Sequence, residues 1–399
     1  MKKIINIKIN SEKIIAILFI FIIFYMFIGT IKKEHSYIKE EFEKILKNNE
    51  KTMYENIVQI TTKTESIVNE NILFKSKYID IYGLVQKTIG KRYIVDDVDS
   101  TRDIVKTKDY MLSFVQGKED MQQKAKGIID LNKQLKENNI SLIYVQAPYK
   151  IRNNYNLPIG IKDFGNENAD VLLEELQKEN IDTIDLRGYF EDWDIKDEFF
   201  ITDHHWKIKP AFEASTYITI ELNKKHNFNI DSFYTNIDNY NLINKEKSFL
   251  GSIGKRIGKY YSGVDDFEYI LPKFETNLVV KKGEQETAGN FEDTVIVKEL
   301  IEDKDIKSNR YACYFGRDYS EIIIKNKSIN TDNKMLIIQD SYGLVFSAMM
   351  SLRTSEVRVI DLRHFKQNEI EYINNYNPDI VIIMYNPSIF SVQEAFDFK

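Results

Sequence analysis

Five short apolar runs, separated by stretches of helical periodicity, constrain the fold of this 399-residue chain more than any other feature. The runs are rich in Val and Ile, as buried strands are, and the stretches between consecutive runs have the spacing of helices. This alternation predicts βαβ units and a parallel sheet covered on both faces by helices. We therefore expect a three-layer α/β domain whose strands lie within 141–148, 181–187, 334–339, 356–363 and 379–385.

The pattern changes between about Asn227 and Asn333, where many short strand-like runs are separated by Gly, Asn and Asp. Such spacing is typical of antiparallel strands joined by tight turns. We expect residues 227–333 to be a β-rich insertion in, or a subdomain flanking, an α/β domain that covers residues 79–399.

The amino terminus contains an uncharged apolar run of 18 residues, Ile14 to Ile31, with lysines on both sides. This length is about the minimum for a membrane-spanning helix. Basic residues precede the run and an acidic sequence follows Lys33, which favours a cytoplasmic amino terminus with the rest of the chain outside. A cleaved signal peptide is the alternative, but no small-residue cleavage site follows the run. We expect residues 1–31 to form a cytoplasmic tail and a single-pass transmembrane anchor.

The stretch from Glu34 to about Asn69 is charged, contains no Pro or Gly, and has apolar residues at roughly helical spacing. It predicts a helical stalk over residues 32–78. Two alternatives stay open, a coiled-coil dimer and a helix packed against its own domain.

Composition excludes one class of partner. The net charge is -6, and no cluster of Lys and Arg interleaved with aromatic residues occurs in the globular part, so we expect no nucleic acid partner. The single cysteine, Cys313, cannot form an internal disulfide, and we expect it to be a small buried residue.

A candidate nucleophile follows the predicted strand at 334–339. Ligands bind at the carboxyl ends of strands in parallel α/β sheets, and this strand leads through Asp340, Ser341, Tyr342 and Gly343 directly into a helical pattern. Ser341 would therefore lie among unpaired backbone N–H groups, which suit a nucleophile whose substrate develops an oxyanion. The alternative is an ordinary helix cap. No GxSxG motif is present, so a conventional α/β-hydrolase is not supported.

Two of the five histidines lie side by side in the sequence Thr202-Asp203-His204-His205-Trp206. Neighbouring side chains diverge, so we expect only one of the two histidines to act at a given centre. A serine nucleophile needs a base and a carboxylate that orients the base, and Asp203 with His205 could supply both. Trp206 could wall the site or stack on a sugar. A metal site is the alternative, but no HExxH motif, Cys pair or suitably spaced third ligand occurs, and we expect none.

The TDHHW sequence and the later strand-Asp-Ser-Tyr-Gly-helix unit together resemble the DHHW family, relatives of the alginate and cell-wall polysaccharide O-acetylation proteins within the SGNH hydrolase superfamily. The likeness extends from about Ile79 to the carboxyl terminus and includes YVQAPYK at 144–150 and FLGSIGKRIGKYYSG at 249–263. It implies an SGNH-like, flavodoxin-like fold. The Asp/His pair precedes the serine here, which is the permuted order of the alginate acetylation relatives.

The resemblance also implies roles for individual residues. Ser341 would be acylated, His205 would be the base, Asp203 would orient it, and Asn386 would occupy the position of the oxyanion-hole asparagine. The strand at 356–363 ends without the glycine that completes this hole in SGNH enzymes.

Other residues near these motifs have weaker assignments. Gly251 or Gly254 could replace the missing oxyanion donor. His204 is expected to support the triad or contact substrate, and Ser252 is a rival nucleophile without a strand-turn-helix context. Lys255 and Arg256 could reach an anionic sugar, although a plain surface turn explains them better.

The sequence and the resemblance together predict a membrane-anchored extracytoplasmic O-acetyltransferase or acetylesterase acting on a cell-surface polysaccharide. No metal or diffusible cofactor is expected. The resemblance implies a polytopic membrane acyltransferase as the partner that delivers acetyl groups. The alternatives are a catalytically inert glycan-binding accessory protein of the same fold and a scaffold protein whose two motifs do not converge.

Overall fold

The structure, a computed structural model, describes residues 11–47, 52–96 and 102–398. Residues 1–10 of the predicted cytoplasmic tail lie outside this part of the chain. The chain forms two compact units, Met1–Ile81 and Tyr82–Lys399. The domain boundaries drawn from the sequence stay a prediction.

The first unit is built on a long helix, α1 (Ser11–Leu46), which contains the predicted membrane span. Among the described residues it is the one helix long and apolar enough to cross a membrane, with a mean hydropathy of 2.9 in its most apolar window. A second helix, α2 (Met53–Asn71), folds back along α1, because Leu73 N donates to Thr30 Oγ1 at 2.9 Å and Lys63 pairs with Glu41 at 3.6 Å. The predicted stalk at 32–78 is therefore helical, but it is not one continuous helix. It begins within α1 and continues in α2, and the two helices form a hairpin.

The remaining helices alternate with strands over most of the chain. The helices are α3 (Lys75–Thr88), α4 (Met121–Glu137), α5 (Gly165–Lys178), α6 (Leu186–Tyr189), α7 (Ile195–Glu198), α8 (Ile208–His226), α9 (Ser252–Ile257), α10 (Lys259–Ser262), α11 (Phe291–Thr294), α12 (Lys298–Glu302), α13 (Gly343–Ser351) and α14 (Glu369–Tyr376). The strands are β1 (Tyr93–Ile94), β2 (Ile104–Lys106), β3 (Leu112–Phe114), β4 (Ser141–Gln146), β5 (Asp182–Asp185), β6 (Tyr240–Phe249), β7 (Asp265–Pro272), β8 (Leu278–Lys282), β9 (Gln285–Gly289), β10 (Glu321–Asn326), β11 (Lys334–Gln339), β12 (Glu356–Ile360) and β13 (Ile380–Tyr385).

The second unit is organised around an eight-stranded sheet with the order β5-β4-β13-β11-β12-β10-β8-β9. The first five strands in this order are parallel, and they are the five strands predicted from the apolar runs. Each of the other three strands pairs antiparallel with the strand before it in this order: β10 with β12, β8 with β10 and β9 with β8. Part of the β-rich stretch at 227–333 thus extends the main sheet, whereas β6 and β7 form a separate hairpin. The fold is the predicted three-layer α/β architecture with a mostly parallel sheet.

Side-chain alternation along the parallel strands divides the core between the two faces of the sheet. Helices α8 and α13 pack on one face, where Ile337, Val145 and the buried Cys313 belong to one apolar cluster. Helices α4, α5 and α14 pack on the other face, where Ile338 and Tyr144 belong to a second cluster. Because both faces are covered, the central strands β4, β11 and β13 are apolar along most of their length, and polar groups lie near their ends.

The carboxyl ends of the parallel strands meet at one edge of the sheet. Register pairs Gln339 of β11 with Met384 of β13, and Tyr385 of β13 with Gln146 of β4. The segments that follow these strands therefore lie next to one another. They contain the residues that the sequence marks as chemically active.

Candidate active site

Ser341 occupies a tight turn between β11 and α13 and is partly exposed. The turn requires glycine at position 343, because a Cβ there would lie 2.2 Å from Gln339 Oε1. Gln339 Oε1 in turn accepts a hydrogen bond from Ser347 in α13, which ties the strand to the helix behind the serine. Within the described residues Ser341 N–H has no hydrogen-bond partner, so this donor is available to a ligand.

The segment Phe199–Trp206 forms an irregular loop closed by a bridge between its two end residues. A buried ammonium group organises this loop from the inside. Lys150 Nζ donates to the carbonyls of Leu112 at 2.8 Å, Phe200 at 2.5 Å and Asp203. Burial lowers the pKa of Lys150 to about 8, although the carboxylates of Asp265 and Asp203 partly oppose the shift. All three ammonium protons are therefore used to hold the loop backbone.

Asp203, His205 and Ser341 are joined by a continuous chain of hydrogen bonds. His205 Nδ1 lies 2.5 Å from Asp203 Oδ1, and His205 Nε2 lies 2.8 Å from Ser341 Oγ. The other carboxylate oxygen of Asp203 accepts from Ser252 N at 2.6 Å. Residues separated by 136 positions in sequence are thus brought into the order that a serine nucleophile requires.

Asp203 is held as a carboxylate. Burial alone would raise its pKa, but the adjacent histidines and the hydrogen bonds from His205 and Ser252 hold the pKa of Asp203 well below its usual range. A carboxylate can only accept hydrogen bonds, so His205 Nδ1 carries the proton that it shares with Asp203. His205 Nε2 is then the acceptor for the Ser341 hydroxyl.

Aromatic side chains support His205 from below. The Tyr311 ring stacks on the His205 ring with centroids 3.8 Å apart and an angle of 12°. Trp206 Nε1 donates to Tyr311 Oη at 3.0 Å and to the Tyr342 carbonyl at 3.2 Å. Trp206 has no exposed surface. Trp206 packs beneath the loop, where its indole N–H has internal partners. Its expected role of walling the site or stacking on a sugar stays a prediction.

His204 makes a second serine–histidine contact beside the first. Its Nδ1 lies 2.9 Å from Ser252 Oγ, and its ring centroid lies 3.8 Å from that of His205. Burial lowers the pKa of His204 to about 3, so its imidazole is neutral at neutral pH. Just over a quarter of the His204 side chain is exposed, so the residue can contact a ligand. Its expected role, supporting the triad or contacting substrate, stays a prediction.

Three consecutive residues of the loop, Asp203, His204 and His205, also offer a set of metal-ligand atoms. Suitable atoms of Asp203, His204 and His205 lie within 4.8 Å of one another. In the structure the Asp203 carboxylate and the two Nδ1 atoms are already engaged in hydrogen bonds among themselves and with Ser252. This arrangement suits proton transfer to and from Ser341 better than cation binding.

The two basic residues after the GSIG sequence differ in their surroundings. Arg256 pairs with Asp96 at 2.9 Å and lies over the Phe114 ring. Its charge is therefore already balanced, which weakens the expectation that it reaches an anionic sugar. Lys255 is partly buried, and desolvation lowers its pKa. A sugar-binding role for either residue stays a prediction.

Gly251, which precedes α9, and Gly254, which lies within it, use their N–H groups inside the protein. Gly251 N donates to Thr202 Oγ1 and Gly254 N donates to the Thr202 carbonyl, both at 2.8 Å. A Cβ on Gly251 would lie 2.3 Å from Asp203 Cβ, so glycine is needed for the close approach that brings Ser252 N to Asp203. These glycines position the loop instead of facing Ser341.

Asn386 lies at the end of β13 and is almost fully buried. Its Nδ2 donates to the Pro148 carbonyl at 2.7 Å, and its Oδ1 accepts from Ser388 N at 3.0 Å. One Nδ2 proton is therefore used inside the protein and the other has no partner among the described residues. Its assignment as an oxyanion donor stays a prediction.

The end of β12 carries charge where SGNH enzymes have glycine. Arg363 pairs with Asp361 at 2.5 Å and with Asp318 at 2.9 Å. Buried Asp340 lies within electrostatic reach of Arg363, although burial dominates and raises the pKa of Asp340 to about 6. Asp340 accepts from Tyr342 N at 2.9 Å and so shapes the turn around Ser341.

Sequence analysis assigned no role to three residues that build the site. Lys150 was part of the resemblance, and a lone lysine directly after an apolar strand could have marked it as a buried cation. Asp265 receives hydrogen bonds from Ile201 N and from Thr202, and Tyr311 stacks on His205. Neither of these two has a local sequence signal, because both come from segments with no clear periodicity.

Part of the chain matches a known protein family. Residues 107–232 match the family model described as the SGNH hydrolase-like domain of the acetyltransferase AlgX. Together with the strand order, this match supports an SGNH-like α/β fold. The segment of the SGNH-like domain that matches includes Asp203 and His205 but ends well before Ser341. No curated protein sequence matches the chain.

Solved structures share the fold of the SGNH-like domain. Bacillus cereus PatB1 with a sulfonyl adduct has a TM-score of 0.60 and 22% identity, covering 74% of this chain and 97% of PatB1. A DHHW family protein from Eubacterium siraeum has a TM-score of 0.56 and 16% identity, covering 76% of this chain and 96% of the other. These comparisons confirm the predicted resemblance at the level of the fold.

Proposed function

We propose that this protein is a membrane-anchored extracytoplasmic O-acetyltransferase or acetylesterase that acts on a cell-surface polysaccharide through Ser341, His205 and Asp203. One observation carries the proposal. A partly exposed serine at a strand end is hydrogen-bonded at 2.8 Å to a histidine, which is itself hydrogen-bonded at 2.5 Å to a buried carboxylate.

The geometry supports acylation of Ser341 by an ester or thioester donor. His205 Nε2 accepts the hydroxyl proton while Ser341 Oγ attacks the acyl carbon. A bond from Oγ to the acyl carbon forms, the bond from that carbon to the leaving group breaks, and His205 returns the proton to the leaving group. Asp203 stabilises the imidazolium that exists between these two proton transfers.

The second half-reaction reverses these roles. A sugar hydroxyl, or water in an esterase, gives its proton to His205 and attacks the acyl carbon. The bond to Ser341 Oγ breaks and Ser341 recovers the proton from His205. In both halves, Ser341 N–H and the remaining Nδ2 proton of Asn386 are the donors best placed by their position at the sheet edge to meet the oxyanion.

The comparisons support the same function. The matching family model is named for an acetyltransferase, and PatB1, which shares the fold, has been obtained with a sulfonyl adduct. Helix α1 supports the anchor, since it is long and apolar enough to span a membrane. By analogy with the acetylation systems that the DHHW family resembles, a polytopic membrane acyltransferase would supply the acetyl group.

Covalent trapping tests the nucleophile. The full-length protein in detergent is treated with a sulfonyl fluoride, and the adduct is counted by intact mass and located by peptide mapping. We expect one adduct on Ser341, no adduct in Ser341→Ala, and labelling slower by at least about 100-fold in His205→Ala, because the base is lost.

The matched control is Ser252→Ala, which removes the neighbouring serine that contacts His204 and should label normally. Equal labelling of Ser341→Ala and wild type would reject the nucleophile assignment. An unlabelled wild-type protein would favour the alternative, an inert glycan-binding accessory protein.

A further inference from the structure

A polar cavity lies at the same edge of the sheet as Ser341, beyond the carboxyl ends of β4 and β5. Its volume is about 570 Å³, and its lining is rich in hydrogen-bonding groups. Its lining includes Arg152, Asn153, Arg187, Gly188, Glu191 and Glu198. None of these residues has a role in the proton transfers described above.

The cavity shares its walls with the candidate active site. Pro148 lines the cavity and accepts a hydrogen bond from Asn386 Nδ2. Glu198 also lines it, and the loop that contains Asp203 and His205 begins at the next residue. Two strand spacings, roughly 10 Å, separate β4 from the strand that leads to Ser341. Neighbouring units of one sugar chain can span this distance.

The charges in the cavity are paired internally. Arg152 is 2.5 Å from Glu198, and Arg187 is 2.7 Å from both Asp185 and Asp170. The lining contains these three acids and Glu191 against two arginines. Burial raises the pKa of Glu198 to about 7, but the acids still outnumber the arginines when Glu198 is protonated.

This charge balance selects among ligands. Both guanidinium groups already donate hydrogen bonds inside the protein, Arg187 to two carboxylates and Arg152 to two backbone carbonyls as well as to Glu198. The cavity therefore offers no free cation to a phosphate or a sugar carboxylate. The surplus of acids disfavours an anionic ligand by like-charge repulsion. Carboxylate and amide oxygens that accept hydrogen bonds, together with amide and guanidinium donors, suit an uncharged ligand with many hydroxyl groups.

We propose that this cavity is an acceptor subsite that binds an uncharged sugar of the polysaccharide, near the unit that receives the acyl group at Ser341. The inference rests on the proposed function and specifies its substrate as a neutral glycan rather than a polyuronate. It also relocates sugar recognition from Lys255 and Arg256 to the ends of β4 and β5.

Gly188 provides a way to fill the cavity without disturbing its walls. It lines the cavity, and a Cβ added there meets nothing within 4 Å, so Gly188→Trp should place an indole in the cavity space. Gly117 also has open space around its Cβ but does not line the cavity, so Gly117→Trp is the matched control.

The test measures binding and labelling on the full-length protein in detergent. Hexamers of glucose, mannose, galactose and N-acetylglucosamine, with a hexamer of mannuronate as the anionic probe, are titrated by calorimetry. We expect at least one neutral hexamer to bind more tightly than the mannuronate. We expect Gly188→Trp to weaken that binding by at least about tenfold, with no change in Gly117→Trp. Sulfonylation of Ser341 should proceed at the wild-type rate in Gly117→Trp, which lies outside the cavity.

Each outcome bears on a different claim. Tighter binding of mannuronate, no binding of any neutral hexamer, or unchanged binding in Gly188→Trp would overturn the subsite while leaving the serine chemistry intact. Loss of sulfonylation in the wild type would instead overturn the proposed function. Should Gly188→Trp fail to fold, Asn153→Ala combined with Glu191→Ala replaces it, since both side chains are exposed. Unchanged binding in that double variant would equally overturn the subsite.

Discussion

At the scale of single residues, buried ionisable groups surround the candidate site, and the structure gives each of them a partner. Asp203 has two histidines and a backbone N–H, Lys150 has three carbonyls, and Glu198 has Arg152. Because burial makes an unpaired charge costly, these pairings restrict the loop to one arrangement. The proton equilibria of these groups should therefore be visible in the stability of the protein.

Glu198 makes a specific prediction about pH. Burial raises its pKa to about 7, with only partial compensation by Arg152, whereas an unfolded glutamate titrates near about 4.3. The folded state therefore binds this proton more tightly. The stabilisation is fully present below about pH 4 and is lost as the pH rises through about 7. Between pH 4.5 and 8, the wild type should lose about 3 kcal/mol more unfolding free energy than Glu198→Gln.

Thermal unfolding at a series of pH values checks this expectation. Glu191→Gln, which alters an exposed carboxylate in the same cavity, should keep the wild-type pH dependence. Asp340 and Asp163, whose pKa values burial also raises to about 6, contribute equally to all three proteins and cancel from the comparison. A pH dependence in Glu198→Gln as steep as that of the wild type would contradict the prediction.

At the scale of elements, the site depends on how closely the turn before α9 approaches the loop at 199–206. Gly251 permits this approach, since any side chain there would collide with Asp203. Gly251→Ala should move α9 away and break the hydrogen bond from Ser252 N to Asp203. We expect a loss of about 2–3 kcal/mol in unfolding free energy and sulfonylation of Ser341 slower by more than about tenfold.

Gly117→Ala, at a glycine with open surroundings, is the control for this variant and should leave the labelling rate unchanged. The two readouts are separable, because labelling is measured well below the unfolding temperature. If Gly251→Ala labels as fast as the wild type, the approach of α9 is structural and does not orient Asp203.

The packing of these elements also explains which features of the fold and the site could be predicted from the sequence. The five parallel strands were predictable because strands buried on both faces are continuous apolar runs. The convergence of Ser341, Asp203 and His205 was predictable because strand ends and a rare paired histidine stand out locally. The addition of β10, β8 and β9 to the main sheet was not, since edge pairing depends on contacts between distant segments. The burial of Trp206 was not predictable, because a tryptophan beside a functional motif has the same sequence signal whether it faces ligand or core.

At the scale of the whole molecule, the proposed anchor determines where the chemistry takes place. The side chains of Phe21 and Ile22 are largely exposed in α1, as lipid-facing side chains would be. Replacing both by aspartate should cost about 3 kcal/mol per charge at a helix centre and release the protein from membranes. Fractionation and alkaline extraction measure this release, with Phe21→Leu and Ile22→Leu together as the control.

Two results would contradict an uncleaved anchor. The aspartate variant could remain in the membrane fraction, or the intact mass of the wild-type protein from cells could lack the first residues, which would indicate a cleaved signal peptide.

The buried thiol of Cys313 has a practical consequence for the remaining question of sidedness. It has no exposed surface, and burial raises its pKa well above the usual value, so it should not react with maleimides in the folded protein. In a labelling experiment with maleimides, the natural chain should therefore react like a protein without cysteine. A single cysteine introduced at exposed Lys118 would be the only reactive thiol, and a membrane-impermeant maleimide applied to intact cells would report directly which side of the membrane carries the SGNH-like domain.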